Sequence, residues 1–188
     1  LEAVGFRFMT CLSYIYRRPV NQTTPLTRSL DRLFSVRAGH PSDLREMQEI
    51  SRHAFGENRY GLDPNLDVDL VNRLYAAWLS NAVQDVHSRF LVCERHGKLV
   101  SFLGYQLQRY ERGSERFRVG RISLLASAAD EQSQGSPLAL VRRCMRDLQN
   151  QVDTIEAVIG SWNDAALRPM DRFGFRCLDT VMDLHAWL

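Results

Sequence analysis

Lysine is almost missing from these 188 residues: Lys98 is the only one, so nearly all the positive charge is arginine. The formal net charge is +2, from 24 basic and 22 acidic residues. That balance offers no basic excess to nucleic acid or an anionic membrane, and neither is expected as a partner. No Cys-x-x-Cys pair occurs. The four cysteines, Cys11, Cys93, Cys144 and Cys177, lie far apart in apolar runs. This predicts buried free thiols and a reducing, cytoplasmic setting. The five histidines (His40, His53, His87, His96, His185) lack ligand spacing, so no metal is expected. No apolar run reaches the ~18–20 residues of a membrane span, and no signal-peptide pattern opens the chain.

What is present is a 45% apolar composition, enough for a core, in a length that suits one domain or one domain plus part of another. Residues 5–16 have β-rich, partly alternating character and read as a strand. Residues 17–29 are polar with two prolines and read as a linker. A strand is expected at 33–39 and a helix at 41–55, capped by Ser42 with Leu44, Met47 and Ile50 on one face. A second helix, 67–83, carries the stripe Leu70, Val71, Leu74, Tyr75, Trp78, Leu79 and Ala82. Three close strands follow, at 88–95, 98–110 and 117–127, with a turn at His96-Gly97; this spacing predicts an antiparallel meander. Apolar parity changes within the third strand, between Val119 and Ile122, which predicts an extra residue near Gly120. A helix from Leu138, a strand at 154–161, a short helix at 163–173 and a last strand at 174–188 complete an α/β chain. In it the meander feeds parallel crossovers.

The stretch "EQSQGSPLALVRR" (131–143) links the meander to the helix. Gly135 allows close backbone approach, as a phosphate cradle at a helix N-terminus requires. Pro137 lacks the N–H that such a cradle uses, yet proline is also at home in a first helical turn. From these residues alone, cofactor loop and plain helix start are equally supported.

Three segments in register resemble the GNAT superfamily of acyl-CoA-dependent N-acetyltransferases. They are "LLAS" (124–127), "QSQGSP" (132–137) and "NDAALRPMDRFGF" (163–175). The resemblance implies a GNAT-type α/β fold, a mixed sheet with an antiparallel meander and flanking helices, over residues 33–188. It implies acetyl-CoA as cosubstrate, with pantetheine against Leu124, Leu125 and Ala126. Pyrophosphate would lie on Gln132, Ser133, Gln134, Gly135, Ser136 and Leu138, and the cofactor arm beside Asn163. The acceptor would be a small-molecule amine, and a homodimer is left open. "RLYAAWLSNAV" (73–83) and "GRISLLA" (120–126) further resemble the dTDP-fucosamine acetyltransferase subgroup, whose acceptor is a nucleotide-linked amino sugar. "GFRFMTCLSYIYRR" (5–18) parallels "GFRCLDTVMDLHAW" (174–187). Residues 1–32 are therefore expected to be the tail of an N-terminal GNAT-like half, and the chain to start inside a longer protein.

One departure bears on chemistry. Met170 stands where the family usually places a tyrosine as general acid, and the catalytic group is left unassigned. Pro169 beside it removes an N–H from that helix. His185, Tyr105 and Tyr110 are candidate substitutes by position; Glu57, Arg59 and Tyr60 occupy the loop where acceptor sites are often built. The competing expectation is a GNAT-like scaffold without transfer activity, acting as a binding module.

Overall fold

The computed structural model describes residues 2–17, 33–54, 58–129 and 135–187. Seven strands form one sheet: β1 (Phe6–Arg17), β2 (Ser35–Ala38), β3 (Ser88–Arg95), β4 (Lys98–Arg112), β5 (Glu115–Ser127), β6 (Thr154–Gly160) and β7 (Arg176–Ala186). Four helices are α1 (Leu44–Ala54), α2 (Val68–Gln84), α3 (Ser136–Leu148) and α4 (Asp164–Arg172). The strand order is β2-β3-β4-β5-β6-β1-β7. The expected linker, beyond Arg17, lies outside the described residues.

The meander forms as its spacing predicts. His96 and Gly97 have φ of 52° and 75°, the positive pair that matches a two-residue hairpin to strand twist. The extra residue of β5 is found at Ser123, not near Gly120: Gly104 pairs with Leu124, while Tyr105 pairs with Ile122. The bulge sends Ile122 and Leu124 to opposite faces despite their equal parity. Ile122 joins the core under α3, and Leu124 the core under α1 and α2.

Among the described residues only β5 and β6 pair in parallel. The expected run of parallel crossovers is reduced to this one pair because β1 enters the sheet between β6 and β7, antiparallel to both. Strand β1, assigned from sequence to a segment ahead of the domain, thus lies inside the sheet, with Ile15 in its main core.

Helix starts depart from expectation at the helix expected from Leu138, which begins at Ser136, and at the cap of α1. Ser42 is not the cap of α1; it sits in a 3-10 turn, Pro41–Asp43. That turn is capped by His40, whose Nδ1 accepts the Ser42 N–H, while Asp43 accepts the His40 N–H at 2.7 Å. In α2, Asp67 caps by accepting from the Asp69 and Leu70 amides. Only Val71, Tyr75 and Leu79 of its stripe are buried; Leu70, Leu74 and Trp78 stay more than 40% exposed. The helix meets the sheet along a single line, narrower than its apolar face. Helix α4 ends in a Schellman turn, with Gly174 at φ 81° donating to Asp171 and Phe175 donating to Met170. Pro169 is accommodated inside it.

The cysteine expectation holds for Cys93 and Cys144, which are buried; Cys11 is half-buried and Cys177 exposed on edge strand β7. Burial pushes the Cys144 thiol far above its ordinary range. No helix among the described residues is long and apolar enough to cross a membrane.

Candidate active site

Strands β5 and β6 part company in mid-sheet. Their pairing runs from Val119–Thr154 to Ile122–Ala157 and stops at the Ser123 bulge. Beyond it, Leu124, Leu125, Ala126 and Ser127 stay bonded to β4, and Val158, Ile159 and Gly160 to β1. The facing backbone edges are unpaired with each other. Such an edge offers alternating N–H and C=O groups to an extended, amide-bearing ligand, as a strand does to a peptide. Leu124, Leu125 and Ala126 therefore stand where a pantetheine-like arm can add to the sheet.

The N-terminus of α3 stands at the same end of β5. The helix runs back from there, placing Leu148 against Gly120, where an added Cβ would lie 2.6 Å from Leu148 Cδ1. Gly135 is its N-cap residue, at φ 93° and ψ −1°, and as a glycine it supplies no side-chain cap. Open N–H groups and the helix dipole there favour an anion. Ser136 is fully buried, and its hydroxyl has no hydrogen-bond partner. Ser101 and Ser127, register partners across β4 and β5, likewise keep buried, unpartnered hydroxyls. Pro137 occupies the first turn, and Leu138 packs against the core. Gln132, Ser133 and Gln134 lie outside the described residues, as do Asp130, Glu131 and Glu57.

Asn163 caps α4, its Oδ1 accepting the Ala166 N–H at 3.1 Å. Met170 is 3% exposed and packs in the core with Ile155 and Phe175. Tyr105 is buried in that core, where burial pushes its phenol up. Tyr110 stands toward the far end of the meander, donating to Gln108 and accepting from Arg121.

Helices α1 and α2 cover the other face of the opened segment, where Met47 and Leu79 pack on Phe102, Leu124 and Ala126. Arg59 and Asp63, from the connection between these helices, reach Asp183 and His185 of β7 and Trp187 just after it. Asp63, 1% exposed, accepts from His185 Nδ1 at 2.6 Å, from Trp187 Nε1 at 3.0 Å and from the Asn65 amide. Burial pushes its carboxyl up, but the His185, Asn65 and Trp187 hydrogen bonds outweigh that and hold it below the ordinary aspartate value. Arg59 reaches Asp183 at 3.4 Å and donates to the Tyr60 hydroxyl at 3.0 Å. Tyr60 in turn packs edge-on against Tyr75 and near His185. The structure thus joins the loop residues Arg59 and Tyr60 with His185, which the sequence offered separately from them. Asp63, Asp183 and Trp162 were not singled out; no spacing signal marks them, since their side-chain partners His185 and Trp187, Arg59, and Thr10 each lie more than a hundred residues away.

The Asp63 anchor predicts a pH effect. A carboxyl with a lowered folded-state pKa stabilises above the ordinary aspartate value, and that stability is lost as pH falls through the folded value. Asp63→Asn should therefore melt below the wild type at pH 7, and the gap should close below about pH 4. Thermal melts of both proteins from pH 7 to 3 measure this. A gap independent of pH would assign Asp63 a packing role alone.

A groove of about 250 Å³ between β2 and α3, lined by Phe34, Val36, Arg142, Arg143 and Arg146, lies on the opposite flank of α3 from β6. It takes no part in the cleft.

No protein-family profile matches the sequence, and no curated protein does. Solved structures do match. A protein from Novosphingobium aromaticivorans assigned to the GNAT family of acetyltransferases superposes with a TM-score of 0.61 at 13% identity, over 98% of this chain and 69% of that one. The fold is GNAT-type. The aminoglycoside N-acetyltransferase AAC(6')-Iy, in complex with CoA, matches at TM-score 0.59 and 13% identity, over 79% of this chain and 91% of that one. A transcriptional regulator from Bacillus halodurans matches at 0.61 and 17%, over 81% and 99%. At these identities the likeness establishes this GNAT-type architecture and not its chemistry.

Proposed function

We propose that this GNAT-type protein is an acyl-CoA-dependent N-acetyltransferase acting on a primary amine of a small molecule, with a nucleotide-linked amino sugar as the favoured acceptor. One observation carries the reading: the β5–β6 pairing ends at a bulge, and a helix N-terminus whose N-cap residue is a glycine stands at the mouth of the opening. Leu124 to Ala126 would hold the pantetheine by backbone bonds. Gly135, Ser136 and Leu138, with the preceding Gln132 to Gln134, would hold the pyrophosphate. The unpartnered Ser136 hydroxyl fits an anion at that helix end. Asn163 would lie beside the arm while capping α4.

Acetyl-CoA supplies a thioester, whose thiolate is a tolerable leaving group. The chain's own part is to align the acyl carbon with the amine, exclude water and meet the oxyanion with a donor. With Met170 in the core, no side-chain acid is assigned to the leaving thiolate. The absence of one acid–base group sets an expected rate deficit of about 10²–10⁴-fold.

Differential thermal unfolding with millimolar acetyl-CoA, followed by calorimetric titration, tests the reading. A ligand at a hundred times its Kd adds about 2.7 kcal/mol of stability, so the melting temperature should rise by several degrees. Turnover on a panel of nucleotide-linked and free amino sugars should follow. An unchanged melt with no titration heat at two temperatures rules the cofactor assignment out. The second reading, a binding module without transfer activity, is favoured by the buried Met170. Its signature is acetyl-CoA binding without turnover on any amine, or no binding at all.

A further inference from the structure

We propose that Trp162 is a preformed stacking platform for the sugar ring of the acceptor, on the face of the sheet opposite α3. This rests on the acetyltransferase reading and specifies its acceptor site. Residue 160 at the end of β6 is glycine, and its lack of a side chain is occupied: an added Cβ would lie 2.8 Å from Cε2 and Nε1 of the Trp162 ring. The indole is therefore laid directly against the strand. Its N–H donates to Thr10 Oγ1 at 3.1 Å, with Thr10 itself buried. Position and polar edge are both fixed, yet the residue remains 48% exposed. An aromatic ring held along its pyrrole edge, with much of its remaining surface open, is costly to leave in water and ready to bind.

Register places this ring. Gly160 pairs with Leu12, two residues along β1 from Thr10, so Trp162 lies on the face that Gly160, Leu12 and Thr10 share. Ile159, on the opposite face, packs with the α3 core. Trp162 thus meets the parted strands from the side covered by α1 and α2, while the proposed pyrophosphate site meets them from the side of α3. An acyl group carried through the opening would emerge beside the indole. Thr10 pairs with Asp183 across β1 and β7, and Asp183 holds Arg59 and, through it, Tyr60. The platform is thereby flanked by a carboxylate, a guanidinium and a phenol, groups that suit hydroxyls, an ammonium and a phosphate. The apolar C–H face of a pyranose complements the electron-rich ring, and a linear amine offers no such face.

The test uses the full chain, with Trp162→Phe, Trp162→Ala and Thr10→Ala. The probes are a nucleotide-linked 4-amino-4,6-dideoxyhexose, glucosamine and the linear diamine putrescine. Trp162→Ala is expected to raise KM for the amino sugars tenfold or more with kcat changed far less. Trp162→Phe should restore most of it, and Thr10→Ala should move KM in the same direction. Acetyl-CoA affinity by calorimetry should be unchanged in all three. An unaltered amino-sugar KM in Trp162→Ala overturns the platform while leaving the acetyltransferase reading intact. If the wild type shows no turnover at all, the readout is tryptophan fluorescence on adding each sugar. A sugar-dependent change present in wild type and absent in Trp162→Phe supports the platform without transfer chemistry; its absence overturns it.

Discussion

Phe102→Ala should be the most destabilising single truncation in this chain, lowering the melting temperature by roughly 6–20 °C. Phe102 is fully buried and lies opposite Ala126 across β4 and β5. It sits with Met47 of α1 and Leu79 of α2 in the smaller of the two cores. Removing a buried phenylalanine side chain costs about 3–5 kcal/mol, as lost transfer energy plus the cavity left behind. For a domain of this size each kcal/mol moves the midpoint by about 2–4 °C. Seven buried side chains make up this cluster, so there is little material to collapse into the gap. The loss also loosens α1 and α2 from Leu124 and Ala126, the strand edge proposed to hold the cofactor arm. The stabilisation by acetyl-CoA should therefore shrink along with the melting point. Phe117→Ala is the control: at 47% exposed, it should change stability by no more than ~0.5 kcal/mol. Comparable melts for the two variants would show that the α1–α2 core contributes little.

Gly135→Val should abolish the acetyl-CoA response and lower stability as well. Gly135 caps α3 at φ 93°, a region where a β-branched residue is a genuine outlier. Strain of this kind costs about 1–3 kcal/mol. The added side chain would also stand where the proposed pyrophosphate would approach the helix end. Gly135→Asn separates the two effects, because asparagine tolerates left-handed backbone better than valine. It should recover much of the melting temperature and still lose the thermal shift. A full shift in either variant would remove this helix end from ligand contact.

Local features were legible where the chain's neighbours decide them. The His96-Gly97 hairpin and the helix expected over residues 67–83 follow from residue types a few positions apart. The bulge announced itself as a parity change but not at its place, because parity registers that a residue is extra without saying which one leaves the ladder. Leu70, Leu74 and Trp78 read as core and are exposed; periodicity marks an apolar face, while the width actually covered depends on how the helix lies on the sheet. Met170 was legible as the wrong residue for an acid, but its place inside the main core was not.

By itself the sequence determined the order of elements, the GNAT-type class of the fold and the loop-helix segment around Gly135. The element order and the helix start rest on turn chemistry, periodicity and spacing, all short-range properties of a polypeptide, while the fold class rests on the resemblance of three segments to the GNAT superfamily. Only the tertiary structure decided that β1 enters the sheet between β6 and β7, that β5 and β6 separate at Ser123, and that Asp63 meets His185 and Trp162 meets Thr10. Each of these joins groups far apart in the chain. Strand pairing is made by backbone groups common to every residue, so side-chain pattern can propose a strand but cannot name its neighbour.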